Sequence, residues 1–230
     1  MSVDVAANVR AVEARIARAA RNRGRSPDEV LLVAVSKAID AERIRQAIAA
    51  GVPALGENRV QEAKGKISLL GRQVPWHLVG TLQTNKAKDA VLLFDLIHSL
   101  DRVELGQELD RRARSVSKVI EALVQVNLAG EATKGGFPPD DLKNALEALA
   151  PLTGIRVRGL MTIPPLAEDP EASRPWFRQL RELATFVNGW GLDRAEMTHL
   201  SMGMSGDFEV AVEEGATMVR IGTAIFGPRV

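Results

Sequence analysis

A lysine directly follows a short apolar run near the beginning of the chain. Residues 31–36 read LLVAVS, Lys37 comes next, and a helical pattern starts after Asp40. Alternate residues of a strand share a face, so Lys37 would lie on the face of Val33 and Val35. A lysine amine above the interior of a sheet can attack a carbonyl carbon. The ordinary alternative is a strand-end lysine whose stem packs while its ammonium reaches water.

An arginine occupies a similar position near the end of the chain. Arg220 lies within the apolar run MVRIGTAIFG, residues 218–227, and would share a strand face with Gly222. A cation that points into a barrel or a core requires an anionic or polar partner. Two arrangements meet this requirement: an internal ion pair of Arg220 with Glu57 or Asp207, or contact with a polar ligand.

Two segments close to this arginine have the composition of a phosphate site. Gly222 and Thr223 follow Arg220, and Ser201 precedes residues 202–206, which include two glycines. Glycine lets backbone N–H groups approach an anion closely, and hydroxyl groups add further donors. We therefore predict that Ser201, Gly222 and Thr223 bind a phosphate group.

A phosphate site, a lysine amine and an inward arginine together suggest one cofactor, pyridoxal phosphate. Lys37 would form a Schiff base with its aldehyde, and Arg220 would contact its ring nitrogen. An aldolase that forms a Schiff base with its substrate and uses no cofactor would explain Lys37, but it would leave Arg220 unexplained.

Strands and helices alternate along the chain about eight times, with short connections. An amphipathic helix over residues 3–22 comes first, and Asp101 with Glu104 has the spacing of a capping box. This pattern predicts an α/β fold, a single (β/α)8 TIM barrel domain over residues 1–230 with an extra N-terminal helix. A doubly wound open sheet shows the same alternation, but the eighth strand favours closure. The predicted strands are 31–36, 52–56, 76–80, 95–100, 122–128, 156–162, 198–202 and 217–222.

The predicted barrel places the candidate residues at one end. Reactive groups of such barrels lie at the carboxyl ends of the strands, where Lys37, Ser201 and Gly222 occur. The loop AGEATKGGF, residues 129–137, follows the fifth strand at the same end. Its paired glycines would let it move. Lys134 in this loop is a candidate second amine that accepts the cofactor during release, and the alternative is an ordinary exposed lysine.

The composition restricts the function further. The chain has 30 basic and 29 acidic residues, which gives no reason to expect binding to nucleic acid or to an acidic membrane surface. No apolar run reaches the roughly 18 residues that span a bilayer, and the N-terminus lacks the apolar region of a secretory signal. We therefore expect a cytoplasmic protein. The chain contains neither Cys nor Tyr, which excludes a mechanism that needs a thiol or a phenol of this chain.

Seven segments resemble the pyridoxal phosphate homeostasis protein family, whose fold is that of the N-terminal barrel domain of alanine racemase. The segments are VAVSK (33–37), GENRVQE (56–62), WHLVGTLQTNK (76–86), VNLAGEATKGG (126–136), GLMTIPP (159–165), LSMGMSGD (200–207) and VRIGTAIFG (219–227). The resemblance implies pyridoxal 5'-phosphate as the cofactor, with Lys37 forming the Schiff base and Arg220 at the pyridine nitrogen. The implied cofactor-binding residues are Lys37, Asn58, Ser201, Arg220, Gly222 and Thr223.

The resemblance leaves two functions from different classes. A carrier would bind pyridoxal phosphate in vitamin B6 homeostasis without catalytic turnover and could deliver it to apo-enzymes. An amino-acid racemase needs a second base, which racemases take from a tyrosine of a second β-domain, whereas this chain ends at Val230 and has no Tyr. An arginine at the ring nitrogen also disfavours protonation there and weakens the electron sink. We expect a carrier that is a monomer and binds no metal.

Three histidines fall on three different predicted strands, His77, His98 and His199. A zinc site formed by all three is conceivable, but no HxH or HExxH spacing supports it. Histidines that are hydrogen-bonded to neighbours inside the barrel are the simpler interpretation.

Overall fold

The computed structural model describes residues 3–131, 133–192 and 195–228 of the chain. Within them, eight parallel strands pair in sequence order, and the last pairs with the first to close a barrel. The strands are β1 Leu31–Val35, β2 Ala54–Glu57, β3 Trp76–Leu78, β4 Leu96–Leu100, β5 Ile120–Gln125, β6 Ile155–Met161, β7 Ala195–Ser201 and β8 Met218–Ile221. The predicted barrel is confirmed, and the open sheet is excluded.

The helices follow the strands in the chain, apart from α1, which precedes them all. They are α1 Val5–Arg21, α2 Ala41–Ala49, α3 Val60–Leu70, α4 Ala87–Leu93, α5 Val103–Arg114, α6 Leu142–Leu149, α7 Arg174–Asn188, α8 Phe208–Glu213 and α9 Thr223–Phe226. The predicted extra helix is present as α1. Its N-cap is Asp4, whose carboxylate accepts a hydrogen bond from the N–H of Ala7, and the helix packs against α8 and α9.

Apolar side chains fill both the layer between sheet and helices and the barrel interior. The outer layer contains bulky side chains that are completely buried, such as Trp76 and Phe94. The interior holds smaller ones, among them Val33 and Val35 of β1. Because these two valines lie inside, the alternation of β1 carries Lys37 to the mouth of the barrel above them.

The starts of two helices test the predicted caps. Asp40 caps α2 as expected, because its carboxylate accepts a hydrogen bond from the N–H of Arg43. The capping box predicted at Asp101 and Glu104 is wrong. The N-cap of α5 is Arg102, which makes no side-chain cap bond. The carboxylate of Asp101, the predicted cap, instead accepts a hydrogen bond from the Arg102 guanidinium at 2.5 Å.

A short helix that the sequence pattern did not predict follows β8 directly. Gly222 is the N-cap of α9, and Thr223 is its first residue. Its apolar residues Ile225 and Phe226 are completely buried. A helix of one turn has little stability of its own, so packing of these two side chains stabilises it.

Candidate functional site

A cavity of about 300 Å³ opens at the carboxyl ends of the strands. Apolar side chains such as Val35, Val79 and Ile163 form part of its wall, and a serine that the sequence analysis missed, Ser205, also lines it. Ser201 does not belong to this lining. The predicted site residues that line the cavity are Lys37, Asn58, Arg220, Gly222 and Thr223.

Lys37 lies just beyond β1, and its half-buried side chain lines the cavity. The next residue, Ala38, has a φ of 58°, in the left-handed region that residues other than glycine rarely adopt. This conformation turns the chain sharply toward α2 directly after the lysine. Lys37 is therefore kept at the mouth of the barrel, as the alternation of β1 predicted.

Arg220 points into the barrel from β8 and is 5% exposed. Its guanidinium donates hydrogen bonds to the hydroxyl of Ser201 at 2.5 Å and to the carbonyl oxygen of Thr162 at 2.9 Å. No carboxylate of the described residues lies within 4.0 Å, so the alternative ion pair with Glu57 or Asp207 is not formed. Burial lowers the pKa of Arg220 to about 10, which leaves the group charged at neutral pH.

Ser201 occupies a different place from the predicted one. It is the last residue of β7 and is completely buried, so it offers no hydroxyl to a ligand in the cavity. Its Oγ lies 2.8 Å from Nδ1 of His98 and accepts the hydrogen bond from Arg220. Ser205, four residues later in the loop before α8, lines the cavity, and its Oγ accepts a hydrogen bond from the N–H of Ala224 at 3.2 Å. This position does not support the predicted phosphate contact of Ser201.

A line of hydrogen bonds continues from Arg220 through the barrel interior. Nε2 of His98 lies 3.0 Å from Nδ1 of His77. A guanidinium only donates, so the Ser201 hydroxyl is free to donate to His98, which then donates from Nε2 to His77. Burial lowers the pKa of His77 to about 4 and that of His98 well below its usual 6.5. Both imidazoles are therefore neutral at neutral pH and hydrogen-bonded to neighbours.

These two histidines should make the folding stability depend on pH. Below 6.5 the unfolded chain binds protons at both imidazoles while the native protein does not, so stability falls as the pH falls through this window. We expect each histidine to cost about 1–2 kcal/mol of unfolding free energy between neutral pH and roughly pH 5.

Urea denaturation at the two pH values measures the effect, and His98→Asn should reduce the difference. Buried carboxyls with raised pKa, such as Glu57 and Asp101, act in the opposite direction, and comparison of variant with parent removes their contribution. A His98→Asn variant with the same pH dependence as the parent would contradict this assignment.

Gly222 brings the backbone of β8 close to that of β1. A Cβ atom at this position would lie 3.3 Å from the carbonyl oxygen of Val35, which is closer than ordinary contact. Glycine therefore permits this close approach of the two strands, and Gly222 lines the cavity with its backbone alone. Asn58, which follows β2, lines the same cavity.

Lys134 lies in a neighbouring apolar cavity of about 280 Å³ and not in the one that contains Lys37. Its ammonium donates to the carboxylate of Glu131 at 2.6 Å and to the carbonyl oxygen of Pro164 at 2.9 Å. The lysine thus connects the loop after β5 with the loop after β6. Because these bonds occupy the amine, its position does not support the predicted role as a transient acceptor of the cofactor.

Two further features concern the part of the chain that the structure describes. No helix there combines the length and the apolar character that crossing a bilayer requires. In the same residues, no group of three or more His, Cys, Asp or Glu side chains could hold a metal ion.

Known proteins are similar in sequence to this chain over nearly its whole length. The family described as alanine racemase, N-terminal domain, matches residues 7–230. A pyridoxal phosphate homeostasis protein from Aquifex aeolicus is 47% identical over 216 residues, which are 94% of this chain and 94% of that protein. A protein of the same name from Pseudomonas aeruginosa is 43% identical over 226 residues, with 98% of this chain and 96% of that protein covered.

A solved structure agrees with these relatives. PipY of Synechococcus elongatus PCC7942, described as having PLP bound, is 42% identical and superimposes with a TM-score of 0.82. The match covers 92% of this chain and 100% of that one. The resemblance that the seven sequence segments indicated is confirmed. The chain therefore belongs to the family of the alanine racemase N-terminal domain and, within it, to the pyridoxal phosphate homeostasis proteins.

Proposed function

We propose that this chain binds pyridoxal 5'-phosphate reversibly and buffers or delivers it in vitamin B6 homeostasis. The observation that carries the proposal is a primary amine, that of Lys37, in one cavity with the Arg220 guanidinium and the turn at Gly222 and Thr223. Pyridoxal phosphate supplies an aldehyde that condenses with a primary amine and a ring that withdraws electrons. The names of the relatives and the PLP bound to PipY support this cofactor.

The residues after β7 and β8 fit a phosphate group. Gly222 lines the cavity without a side chain, so nothing at this residue shields the backbone from an anion. Thr223 and Ser205 line the cavity next to it and carry hydroxyls. Barrels of this type commonly bind phosphate at these two loops. We propose that Gly222, Thr223 and Ser205 hold the phosphate, with Ser205 in the place first assigned to Ser201.

Arg220 fits the ring nitrogen of the cofactor. A guanidinium has donors and no acceptor, so a ring nitrogen that it contacts must accept and must be unprotonated. The bonds of Arg220 to Ser201 and Thr162 fix its orientation from below the cavity. Asn58, which also lines the cavity, is proposed to contact the ring or its substituents.

The lining of the cavity supports binding without turnover. In its described residues, Lys37 and Arg220 are the only groups that titrate, and Arg220 does not act as a base near neutral pH. Racemisation requires one base on each face of the substrate, and the chain has no Tyr or Cys to serve as the second. An unprotonated ring nitrogen also makes the ring a weaker electron sink. We therefore propose a non-catalytic carrier, and we propose separately that it is a monomer.

The test of this function is a transfer experiment. The purified chain is loaded with pyridoxal phosphate, mixed with an apo-enzyme that requires it, and the recovery of enzyme activity is followed over time. The proposal predicts recovery, and it predicts no formation of D-alanine when the loaded chain alone is incubated with L-alanine. Steady production of D-alanine would establish the racemase alternative.

Gly222→Val is expected to weaken non-covalent binding by roughly tenfold or more, because a side chain crowded against the carbonyl oxygen of Val35 would shift the backbone that is proposed to bind the phosphate. Calorimetric titration with pyridoxine 5'-phosphate, which has no aldehyde, measures this step alone. Gly65→Val is the matched control, since a Cβ atom there meets no atom within 4 Å. If both variants bound the ligand as tightly as the parent, the phosphate would lie elsewhere.

A further inference from the structure

The peptide groups on both sides of Lys37 are bonded to charged side chains of α3. Nζ of Lys66 donates to the carbonyl oxygen of Ser36, the preceding residue, at 2.5 Å. Oε1 of Glu62 accepts a hydrogen bond from the N–H of Ala38, the following residue, at 2.6 Å. Lys66 and Glu62 are themselves paired at 2.7 Å. One ion pair therefore holds the backbone before and after Lys37.

A second carboxylate, that of Glu57 at the end of β2, completes this network between the sheet and α3. Oε1 of Glu57 accepts hydrogen bonds from Lys66 at 2.6 Å and from the hydroxyl of Ser36 at 2.7 Å. Glu57 and Ser36 are completely buried, and the side chain of Lys66 is only 12% exposed. Buried charges are costly unless they are paired and hydrogen-bonded. The network is therefore a feature of the interior and not one of the exposed ion pairs of the surface.

The network acts on a segment with an unfavourable backbone conformation. Ala38 has its φ at 58°, and a residue with a Cβ atom adopts this region only where its surroundings impose it. The hydrogen bond from its N–H to Glu62 is one such constraint. Neither Glu62 nor Lys66 belongs to the described lining of the cavity. Both residues bond to the backbone beside Lys37, so the position of Lys37 is the route by which we expect them to act.

We propose that Glu57, Glu62 and Lys66 are positioning residues that fix the Lys37 amine for attack on the carbonyl carbon of a phosphorylated aldehyde. This inference rests on the proposed function and assigns a role to residues that the cofactor contacts leave unexplained. In the covalent step, the amine nitrogen bonds to the aldehyde carbon, and the carbonyl oxygen leaves as water with both amine hydrogens. Such a step is fast only when the reacting atoms are held in a productive geometry.

The inference separates two steps of binding. Phosphate and ring contacts do not involve the network, so binding of pyridoxine 5'-phosphate should be unchanged when the network is broken. The covalent step should slow, because the backbone that carries Lys37 becomes mobile. Glu62 is the residue to change, since it is partly exposed and its loss leaves the buried pair of Glu57 and Lys66 intact.

The experiment compares Glu62→Ala with Glu62→Gln, which keeps an acceptor for the N–H of Ala38. Calorimetry measures pyridoxine 5'-phosphate binding, and stopped-flow absorbance measures the covalent step with pyridoxal phosphate. We expect Glu62→Ala to slow the covalent step about tenfold at unchanged calorimetric affinity, and Glu62→Gln to restore most of the rate. Lys64→Ala, an exposed change on the same helix, should behave as the parent.

Hydrogen exchange in the cofactor-free protein gives an independent measurement. The N–H of Ala38 should exchange slowly in the parent and faster in Glu62→Ala. A parental covalent rate in Glu62→Ala, or an equal loss in calorimetric affinity, would overturn the positioning role. A parent chain that forms no adduct at Lys37 would instead overturn the proposed function, and the exchange result would still report whether the network holds the backbone.

Discussion

A Lys37→Ala variant mixed with pyridoxal phosphate is expected to form no covalent adduct. In the described lining of the cavity, Lys37 is the only primary amine. The visible absorbance of the loaded parent should be absent from the variant, and borohydride treatment should add no mass to the chain. Peptide mapping of the reduced parent should place the label on Lys37.

Non-covalent binding should survive in Lys37→Ala. The proposed phosphate contacts at Gly222 and Thr223 and the ring contact at Arg220 remain, so pyridoxine 5'-phosphate should bind with an affinity within roughly tenfold of the parent. Lys134→Ala is the matched control, since Lys134 lies in the neighbouring cavity and bonds to the loop after β6. An adduct on another lysine of the parent, or an unchanged spectrum of Lys37→Ala, would reject the assignment.

Arg220→Glu is expected to lower the free energy of unfolding by about 3–5 kcal/mol, because it places an unpaired carboxylate in a buried site. The parent guanidinium donates to Ser201 and to the carbonyl oxygen of Thr162. A carboxylate there would face this carbonyl oxygen and leave both acceptors unpaired. Urea denaturation of the cofactor-free chain measures the loss without any contribution from ligand binding.

Arg220→Met is the control for the Arg220→Glu experiment. It also removes the hydrogen bonds of the arginine but introduces no charge, so its loss should be smaller, about 1–3 kcal/mol. In whatever fraction of Arg220→Glu folds and binds the cofactor, the absorption spectrum should shift, because a carboxylate favours protonation of the ring nitrogen. Equal stability of Arg220→Glu and the parent would mean that residue 220 does not lie in a buried site that excludes an unpaired carboxylate.

The strand order and the place of Lys37 at the end of β1 were predictable from local patterns. The apolar run before Lys37 and the helix cap at Asp40 each depend on neighbouring residues only, and such short-range periodicity is present in the sequence itself. The inward direction of Arg220 followed from the alternation of β8 in the same way. The failed capping box had the correct spacing, but Arg102 competes for the Asp101 carboxylate, and spacing does not express that competition.

The exchange of Ser201 for Ser205 at the cavity could not be predicted, because both serines lie in one glycine-containing stretch. The predicted strand 198–202 already contained Ser201, but whether its hydroxyl reaches the cavity or is buried depends on the side chains of other strands around it. Once β7 extends to Ser201, this residue meets His98 from β4 and Arg220 from β8. These partners are 103 and 19 positions away in the chain.

The sequence by itself determined the alternation of strands and helices, the lysine beyond β1 and the inward arginine, because each is a property of neighbouring residues. Only the tertiary structure decided which groups meet. The buried bonds from Lys66 to Glu57 and to the backbone before Lys37 join separate elements, and no periodicity predicts them. The closure of the barrel sets these distances, since the register between paired strands determines which inward side chains come within hydrogen-bonding range.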